Sequence, residues 1–232
     1  MSQLALAFPR RTALGRADFL VSPGNAAAVA WLDRWPDWPA GTLVLYGPPG
    51  SGKTHLVHLW REHTGGIALA GERLDEASLP ALIEANPLGV AVDDAERAGE
   101  RALLHLYNCC RERRLGLLLT AERPPGAWTI RLRDLRSRLR AAIALGIAPP
   151  DDALLGAVLV KHFADRQLRV PPEVITYLVT HVERSFAAAA DIASRLDDAA
   201  LAGGQAVTVS LARRLLTECA SQLPSSSEAG VT

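Results

Sequence analysis

The chain has 232 residues, a length that suits one large or two small domains. Its 25 basic and 25 acidic residues give a formal net charge of zero, which disfavours a protein that coats DNA mainly through phosphate contacts. Apolar residues make up 49% of the sequence, so we expect a folded core, and no apolar run is long enough to span a membrane.

Cysteine usage and the N-terminal sequence both predict a cytoplasmic location. Two of the three cysteines are adjacent and the count is odd, so Cys109, Cys110 and Cys219 form a poor disulfide framework. The N-terminus lacks a basic flank followed by a long apolar segment, so we expect no secretion signal.

Short apolar runs alternate with amphipathic segments over the first two thirds of the chain. The runs predict strands at 42–46, 67–70, 88–92, 115–120 and 142–147. The amphipathic segments predict helices at 26–35, 55–63, 79–85, 99–113 and 132–139. Strands that alternate with helices indicate an α/β fold with a parallel sheet covered on both faces.

The composition changes at residues 148–150, after which we predict only helices. Their patterns cover 151–166, 173–181, 185–202 and 208–223. We therefore expect an N-terminal arm (1–10), an αβα core (11–148), a small helical domain (149–223) and a disordered, Ser-rich tail (224–232).

A glycine-rich loop follows the first predicted strand and matches the phosphate-loop pattern in full. Its residues are Gly47, Pro48, Pro49, Gly50, Ser51, Gly52, Lys53 and Thr54, with His55 next in the chain. Glycines let backbone N–H groups approach phosphates, and the following helix offers its positive end. Lys53 is expected to reach the β and γ phosphates and the Thr54 hydroxyl to bind Mg²⁺, so we predict ATP or ADP with Mg²⁺ as ligands.

Two acidic residues follow the third predicted strand. A buried strand of a parallel sheet delivers the carboxylates of Asp93 and Asp94 to the edge where ligands bind. We assign Asp93 to the Mg²⁺ side of the site, and Asp94 to orienting or activating the attacking water.

Residues 18–220 resemble the AAA+ module of the bacterial replication initiator DnaA in several stretches that occur in the same order. These are Lys53-Thr54-His55-Leu56, Val92-Asp93-Asp94, Leu106-Tyr107-Asn108, Leu118-Leu119-Thr120-Ala121-Glu122-Arg123-Pro124-Pro125 and Leu135-Arg136-Ser137-Arg138-Leu139. The resemblance implies a AAA+ P-loop module, with a five-stranded parallel sheet in an αβα sandwich followed by a helical lid domain. It departs at Pro48-Pro49, which are more typical of other AAA+ proteins. It also departs at Asp94, where many AAA+ ATPases carry Glu, which weakens the expectation of strong intrinsic hydrolysis.

The resemblance also implies roles for single residues. Thr120 corresponds to the first sensor of the γ-phosphate, Arg138 to an arginine finger offered to a neighbouring subunit's ATP, and Arg184 to the second sensor in the lid. The segment expected near the adenine contains Leu20, Val21 and Asn25. Arginine suits these roles through its fixed charge and forked donors, although residues 131–140 hold five arginines and many of them would be expected on a solvated helix face.

The N-terminal arm resembles the Gln-Leu-x-Leu-x-Phe peptide that docks on the bacterial sliding clamp. Gln3 would fix the register, while Leu4, Leu6 and Phe8 would anchor in apolar pockets. The other interpretation of the arm is a strand or staple packed on the core.

A DnaA-like module with such an arm resembles the Hda group, the regulatory inactivators of DnaA. This implies a regulator of replication initiation whose partners are DnaA and the DNA polymerase III sliding clamp, and which promotes hydrolysis of DnaA-bound ATP through Arg138. It also allows a homo-oligomer, with DNA contacted weakly or through the clamp. The sequence leaves no room for a base-reading domain after residue 223, so we do not expect sequence-specific origin binding.

Other functions stay open at this point. A helicase loader or other DNA-remodelling AAA+ ATPase could use the basic strip at residues 97–140, which holds 11 arginines and four acidic residues. An adaptor would hold nucleotide without hydrolysis and would keep its effect on DnaA after Arg138→Ala. A small-molecule kinase is disfavoured, because no acceptor motif accompanies the phosphate loop.

Overall fold

The computed structural model describes residues 20–85 and 87–222, with side chains described up to residue 218. The predicted clamp-binding arm with Gln3, Leu4, Leu6 and Phe8, and the predicted tail at 224–232, lie outside the described residues. The chain divides into two compact units after Pro149.

A parallel sheet of five strands forms the centre of the first unit. The strands are β1 (Thr42–Tyr46), β2 (Ile67–Ala70), β3 (Gly89–Asp93), β4 (Gly116–Ala121) and β5 (Ile143–Gly146). Their order across the sheet is β2-β3-β4-β1-β5, and every neighbouring pair is parallel. All five carboxyl ends therefore lie at one edge, where β4 separates the end of β1 from the end of β3.

Helices cover both faces of this sheet. They are α1 (Ala26–Leu32), α2 (Lys53–Thr64), α3 (Leu79–Glu84), α4 (Glu100–Glu112) and α5 (Arg133–Ala141). Successive side chains of β4 enter opposite cores: Leu117 and Leu119 pack with α3, α4 and α5, whereas Leu118 packs with α1 and α2. Burial on both faces explains the continuous apolar runs in the sequence and confirms the predicted α/β sandwich.

The second unit contains four described helices. They are α6 (Asp152–Asp165), α7 (Pro172–His181), α8 (Phe186–Gly203) and α9 (Val209–Gln222). Side-chain caps begin two of them: Asp151 accepts from the Leu154 N–H at 2.8 Å, and Ser185 accepts from the Ala188 N–H at 3.0 Å. The helices share a separate apolar core. Within the described residues, no helix is long and apolar enough to cross a membrane.

Three observed boundaries differ from the predicted ones in an informative way. Helix α1 ends at Leu32 rather than at residue 35, because the residue before a proline disfavours helix and the Trp35 ring packs on Trp60 instead. Helix α2 begins at Lys53 rather than at residue 55, so the end of the phosphate loop is already the first helical turn. Strand β3 is shifted by one residue and ends at Asp93.

Candidate nucleotide-binding site

The phosphate loop connects β1 to α2 and depends on glycine backbone geometry. Gly50 and Gly52 have φ angles of 72° and 95°, in the left-handed region that favours glycine. A Cβ at Gly47 would lie 2.3 Å from the Ile147 carbonyl oxygen and 3.0 Å from the Ser51 hydroxyl. The loop therefore folds only with glycine at these positions, as a phosphate cradle requires.

Lys53 lies over this loop from the first turn of α2. The side chain is 7% exposed, and its ammonium donates to the carbonyl oxygens of Gly47 at 2.8 Å and Pro48 at 3.0 Å. These acceptors are neutral, so the positive charge is available to an anion. Among the described residues, Ser51 also has a buried hydroxyl without a hydrogen-bond partner, at the centre of the same loop.

Three segments that are distant in sequence meet at the Asp93 carboxylate. The Thr54 hydroxyl donates to Asp93 Oδ2 at 2.7 Å, and the Thr120 hydroxyl donates to Asp93 Oδ1. Thr120 also accepts from the Asp94 backbone N–H at 2.9 Å and is fully buried. The strand order produces this meeting, since Thr120 lies in β4 between the ends of β1 and β3.

Asp94 occupies a strained turn directly after β3. Its φ of 52° and ψ of 50° are unusual for a residue other than glycine. Position 71, which lies against this turn, must be glycine, because a Cβ at Gly71 would lie 2.3 Å from the Asp94 carbonyl oxygen. Such strain is characteristic of functional turns.

Burial raises the pKa of Asp94, and the adjacent Asp93 carboxylate adds to this effect. The Arg97 guanidinium opposes it by lowering the pKa of Asp94. Arg97 lies 4.0 Å from Asp94 Oδ2 and 3.9 Å from Glu122 Oε1, so it links both acids at this edge of the sheet.

The segment predicted to lie near the adenine is attached to the chain after β5. Asn25 accepts from the Ser22 N–H at 2.9 Å and donates to the Leu20 carbonyl at 3.2 Å, and Val21 packs beside the second core. The Ala148 N–H donates to the Gly24 carbonyl at 3.1 Å. Ala148 directly follows Ile147, whose carbonyl oxygen lies against Gly47 of the phosphate loop.

The residues at this edge fit a nucleoside phosphate with a hard cation. The loop supplies a glycine cradle with a buried ammonium, and Thr54 and Asp93 supply the oxygen ligands that Mg²⁺ prefers. When bound, Mg²⁺ neutralises charge on phosphate oxygens. The structure brings Thr54, Asp93, Asp94 and Thr120 together at this edge, and their individual roles stay predictions.

Arg138 lies on α5 and is held at two points. Its Nε donates to Asp134 Oδ1 at 2.8 Å, and its guanidinium carbon lies 5.5 Å from the centre of the Tyr107 ring. The hydrogen bond to Asp134 raises the pKa of Arg138. The sequence could have indicated the Asp134 partner through its i,i+4 spacing, but it gave no signal for Tyr107.

Arg184 lies in the second unit, between α7 and α8. Its Nη2 is 2.8 Å from Asp152 Oδ1, at the start of α6. Both side chains are more than half exposed, so this surface ion pair is weak. The role of Arg184 as a second sensor stays a prediction.

Comparisons with known proteins bear on the family. Residues 152–216 match the family model described as the lid domain of Hda. DnaA of Symbiobacterium thermophilum is 27% identical over 190 residues, which cover 71% of this chain and 42% of the relative. DnaA of Thermus thermophilus is 27% identical over 192 residues, which cover 71% of this chain and 44% of the relative. The chain spans less than half the length of these curated relatives.

Solved structures show the same fold. Domain III of DnaA from Thermotoga maritima superposes with a TM-score of 0.76 at 18% identity, covering 90% of this chain and 98% of that domain. AMPPCP-bound DnaA from Aquifex aeolicus gives a TM-score of 0.69 at 15% identity, covering 88% of this chain and 68% of that one. The fold and the phosphate loop thus define a AAA+ P-loop protein. The chain is thus similar to DnaA in sequence and in fold, and its residues 152–216 are similar to the lid domain of Hda.

Proposed function

We propose that the chain is a regulator of chromosomal replication initiation that promotes hydrolysis of ATP bound to DnaA. The observation that carries the proposal is the match of residues 152–216 to the Hda lid, in a chain with the fold of DnaA domain III. It acts in the cytoplasm, alone or as a homo-oligomer, and it meets DNA weakly or through the sliding clamp.

The chain binds ATP or ADP with Mg²⁺ at the carboxyl edge of its own sheet. The AMPPCP-bound DnaA of Aquifex aeolicus supports this ligand class. The phosphates contact the loop from Gly47 to Thr54 and the adjoining His55, and the adenine lies near Leu20, Val21 and Asn25. Thr54 and Asp93 hold Mg²⁺, Thr120 is the sensor of the γ-phosphate, and Arg184 is the second sensor.

Hydrolysis on DnaA depends on a charge supplied in trans. Water attacks the γ-phosphorus, the bond to the β-phosphate oxygen breaks, and the products are ADP and phosphate. Charge is spread over the γ-phosphoryl oxygens in the transition state, and a guanidinium stabilises it. Arg138 supplies that guanidinium from α5, and such a finger is worth about 10³-fold or more in rate.

Turnover of the chain's own nucleotide is slow in this account. Asp94 orients or activates water, but it is shorter than the Glu found at this position in many AAA+ ATPases. Arg97 also lies beside it, 4.0 Å from Oδ2. The bound nucleotide therefore sets the state of the protein, while the principal reaction takes place on DnaA.

Clamp binding rests on the sequence of the arm. Gln3→Ala combined with Phe8→Ala should abolish binding to the sliding clamp, since it removes the register contact and one apolar anchor. Nucleotide affinity of the same variant should equal that of the wild type. Unchanged clamp affinity, measured by surface plasmon resonance, would exclude the arm as the docking peptide.

The experiment that tests the function follows hydrolysis of labelled ATP pre-bound to DnaA, with clamp loaded on DNA. The wild-type chain should accelerate hydrolysis only when the clamp is present. Arg138→Ala should remove the acceleration, while Arg140→Ala, on the same helix, should retain it. Equal rates with and without the wild-type chain would contradict the proposal.

A helicase loader or other replication AAA+ ATPase is the second candidate. It is favoured by the exposed arginines of α4 and α5, which include Arg101, Arg111, Arg133 and Arg140. This candidate predicts that DNA stimulates ATP turnover by the chain itself, without DnaA. The same assay with DNA alone separates the two functions.

A further inference from the structure

We infer that Tyr107 and Asp134 are positioning residues that hold Arg138 ready for a neighbouring subunit's nucleotide. The inference rests on the proposed role of Arg138 as a trans-acting finger. It concerns a pair of residues on two helices, which we call the finger cradle: the Tyr107 ring on α4 and the Asp134 carboxylate on α5.

The ring gives the cradle a rigid wall. Tyr107 is 4% exposed and packs among core residues of α4 and α5, including Leu103, Leu106, Leu135 and Leu139. A side chain fixed this firmly in a close-packed core keeps its orientation. The Arg138 guanidinium lies over this ring at 5.5 Å, within the range of cation–π attraction.

The carboxylate restrains a second point of the same guanidinium. Asp134 lies one helical turn before Arg138 and accepts from its Nε at 2.8 Å. Within the described part of the chain, neither terminal Nη nitrogen of Arg138 has a hydrogen-bond partner. The cradle therefore occupies the inner nitrogen and leaves the two outer ones available to phosphate oxygens, which arginine can bind in bidentate fashion.

The neighbouring arginines lack this arrangement. Residues 131–140 also contain Arg131, Arg133, Arg136 and Arg140, and no ion pair within 4.0 Å or ring contact of these four side chains occurs among the described residues, although the Glu100 carboxylate interacts electrostatically with Arg131 and Arg136. An arginine without such close contacts samples many rotamers, whereas a cradled one is pre-organised. The geometry thus separates Arg138 from four chemically identical neighbours on grounds independent of the sequence resemblance.

The charge of Asp134 determines whether loss of the cradle changes the maximal rate or the half-saturating concentration. Its carboxylate partly neutralises Arg138, so the cradle adds little long-range attraction for DnaA-bound ATP. The benefit lies in the orientation of the guanidinium once the complex has formed. Loss of the cradle should therefore lower the maximal rate of hydrolysis and leave the half-saturating concentration unchanged.

The test titrates the full-length chain against DnaA carrying labelled ATP, with clamp loaded on DNA, and measures both quantities. Asp134→Ala should lower the maximal rate about 10-fold, since small misplacements of a reacting group are costly. Asp134→Asn retains an acceptor oxygen for Nε and should recover most of that loss. Tyr107→Phe retains the ring and should match the wild type, whereas Tyr107→Leu should lose about 3-fold.

Matched controls separate the cradle from general effects. Asp165→Ala removes another i,i+4 ion pair, in which Asp165 lies 2.9 Å from Lys161 in the second unit, and should leave both quantities unchanged. Asp134 is 56% exposed, so its substitution should leave the thermal unfolding midpoint close to that of the wild type. Asp134→Ala therefore decides the question even where Tyr107→Leu fails to fold.

The outcomes distinguish this inference from the function beneath it. An Arg138→Ala chain as active as the wild type would remove the proposed function itself. If Arg138→Ala lowers the maximal rate of hydrolysis but Asp134→Ala does not, the role of the finger cradle is contradicted and the proposed function stands. A change confined to the half-saturating concentration would also overturn it, because Asp134 would then be a docking contact.

Discussion

The two edges of the central sheet use glycine in opposite ways. At the carboxyl edge, Gly50 and Gly52 of the phosphate loop have φ angles of 72° and 95°, so glycine there permits the backbone turn that a phosphate cradle needs. At the amino edge, glycines begin β3 and β4, and the room they leave is filled by indole rings of the protein. The same residue type thus serves ligand binding at one edge and core packing at the other.

The amino edge is centred on Trp60 of α2, which is fully buried. Its ring stacks on Trp38 with a centroid distance of 6.0 Å and meets Trp35 edge-on at 6.2 Å. A Cβ at Gly66 or Gly89 would lie 2.9 Å from the Trp60 ring. This contrast teaches that a glycine in these strands indicates close approach, and that only the structure shows what approaches.

The largest expected effect is on stability at the amino edge. Trp60→Ala should lower the free energy of unfolding by about 4 kcal/mol, because it removes a buried indole and leaves a cavity. Urea unfolding measures the change. Trp31→Ala should lower the free energy of unfolding much less, because Trp31 is only partly buried. Its ring centre lies 4.2 Å from the guanidinium carbon of Arg34. Equal losses in the two variants would show that the glycine edge has no special packing role.

Nucleotide affinity should depend on the carboxyl edge. Lys53→Ala should weaken nucleotide binding about 100-fold, or about 3 kcal/mol, because a buried charged donor to the phosphates is lost. The chain has only one other lysine, Lys161. Lys161→Ala is therefore the natural control and should bind as the wild type does in titration calorimetry. A Lys53→Ala chain with wild-type affinity would remove the phosphate assignment from the loop.

An added methyl group should distinguish filled from open space. Gly89→Ala should destabilise the fold by about 2 kcal/mol, because its Cβ meets the Trp60 ring at 2.9 Å and the Gly116 carbonyl at 3.0 Å. Gly126→Ala meets nothing within 4 Å and should be nearly neutral. Thermal unfolding of both variants checks this, and similar midpoints would contradict the packing interpretation.

The smallest expected effect concerns pH. Because the pKa of Asp94 is raised in the folded chain, this residue costs stability as pH rises through and above the ordinary value of 3.8. Asp94→Asn should therefore gain a few tenths of a kcal/mol near neutral pH, a small value because the side chain is 40% exposed, and nothing in acid.

Asp75 gives the control of opposite sign. The N–H and hydroxyl groups of Ser78 lower the pKa of Asp75, so Asp75→Asn should lose stability at neutral pH and not in acid. Urea unfolding of both variants at two pH values measures the difference. If both substitutions changed the free energy of unfolding in the same direction at neutral pH, the causes assigned to the two pKa shifts would be contradicted.

Local patterns predicted much of the fold. Strands β1 and β2 have the predicted bounds, because a short apolar run between turn-forming residues leaves little choice of where a strand begins and ends. The phosphate loop and the acids after β3 were predicted as one site, because parallel strands bring their carboxyl ends to one edge.

Contacts across the fold were less accessible to sequence reasoning. The rings of Trp35 and Trp60 pack against glycines at or next to the starts of three strands, which are Gly66, Gly89 and Gly116. No local pattern shows which aromatic ring faces which glycine. Tyr107 lies 31 positions before Arg138, so their contact depends on how α4 packs against α5. The left-handed turn at Asp94 was also missed, because aspartate permits this conformation without indicating it.

The most direct test of the central claim is the identity of the nucleotide recovered on DnaA after a single turnover. DnaA loaded with ATP is mixed with clamp on DNA and with either the wild-type or the Arg138→Ala chain, and the bound nucleotide is then separated. We predict ADP on DnaA after the wild-type chain and mostly ATP after the variant. Equal conversion to ADP by both chains would contradict the claim that Arg138 acts in trans.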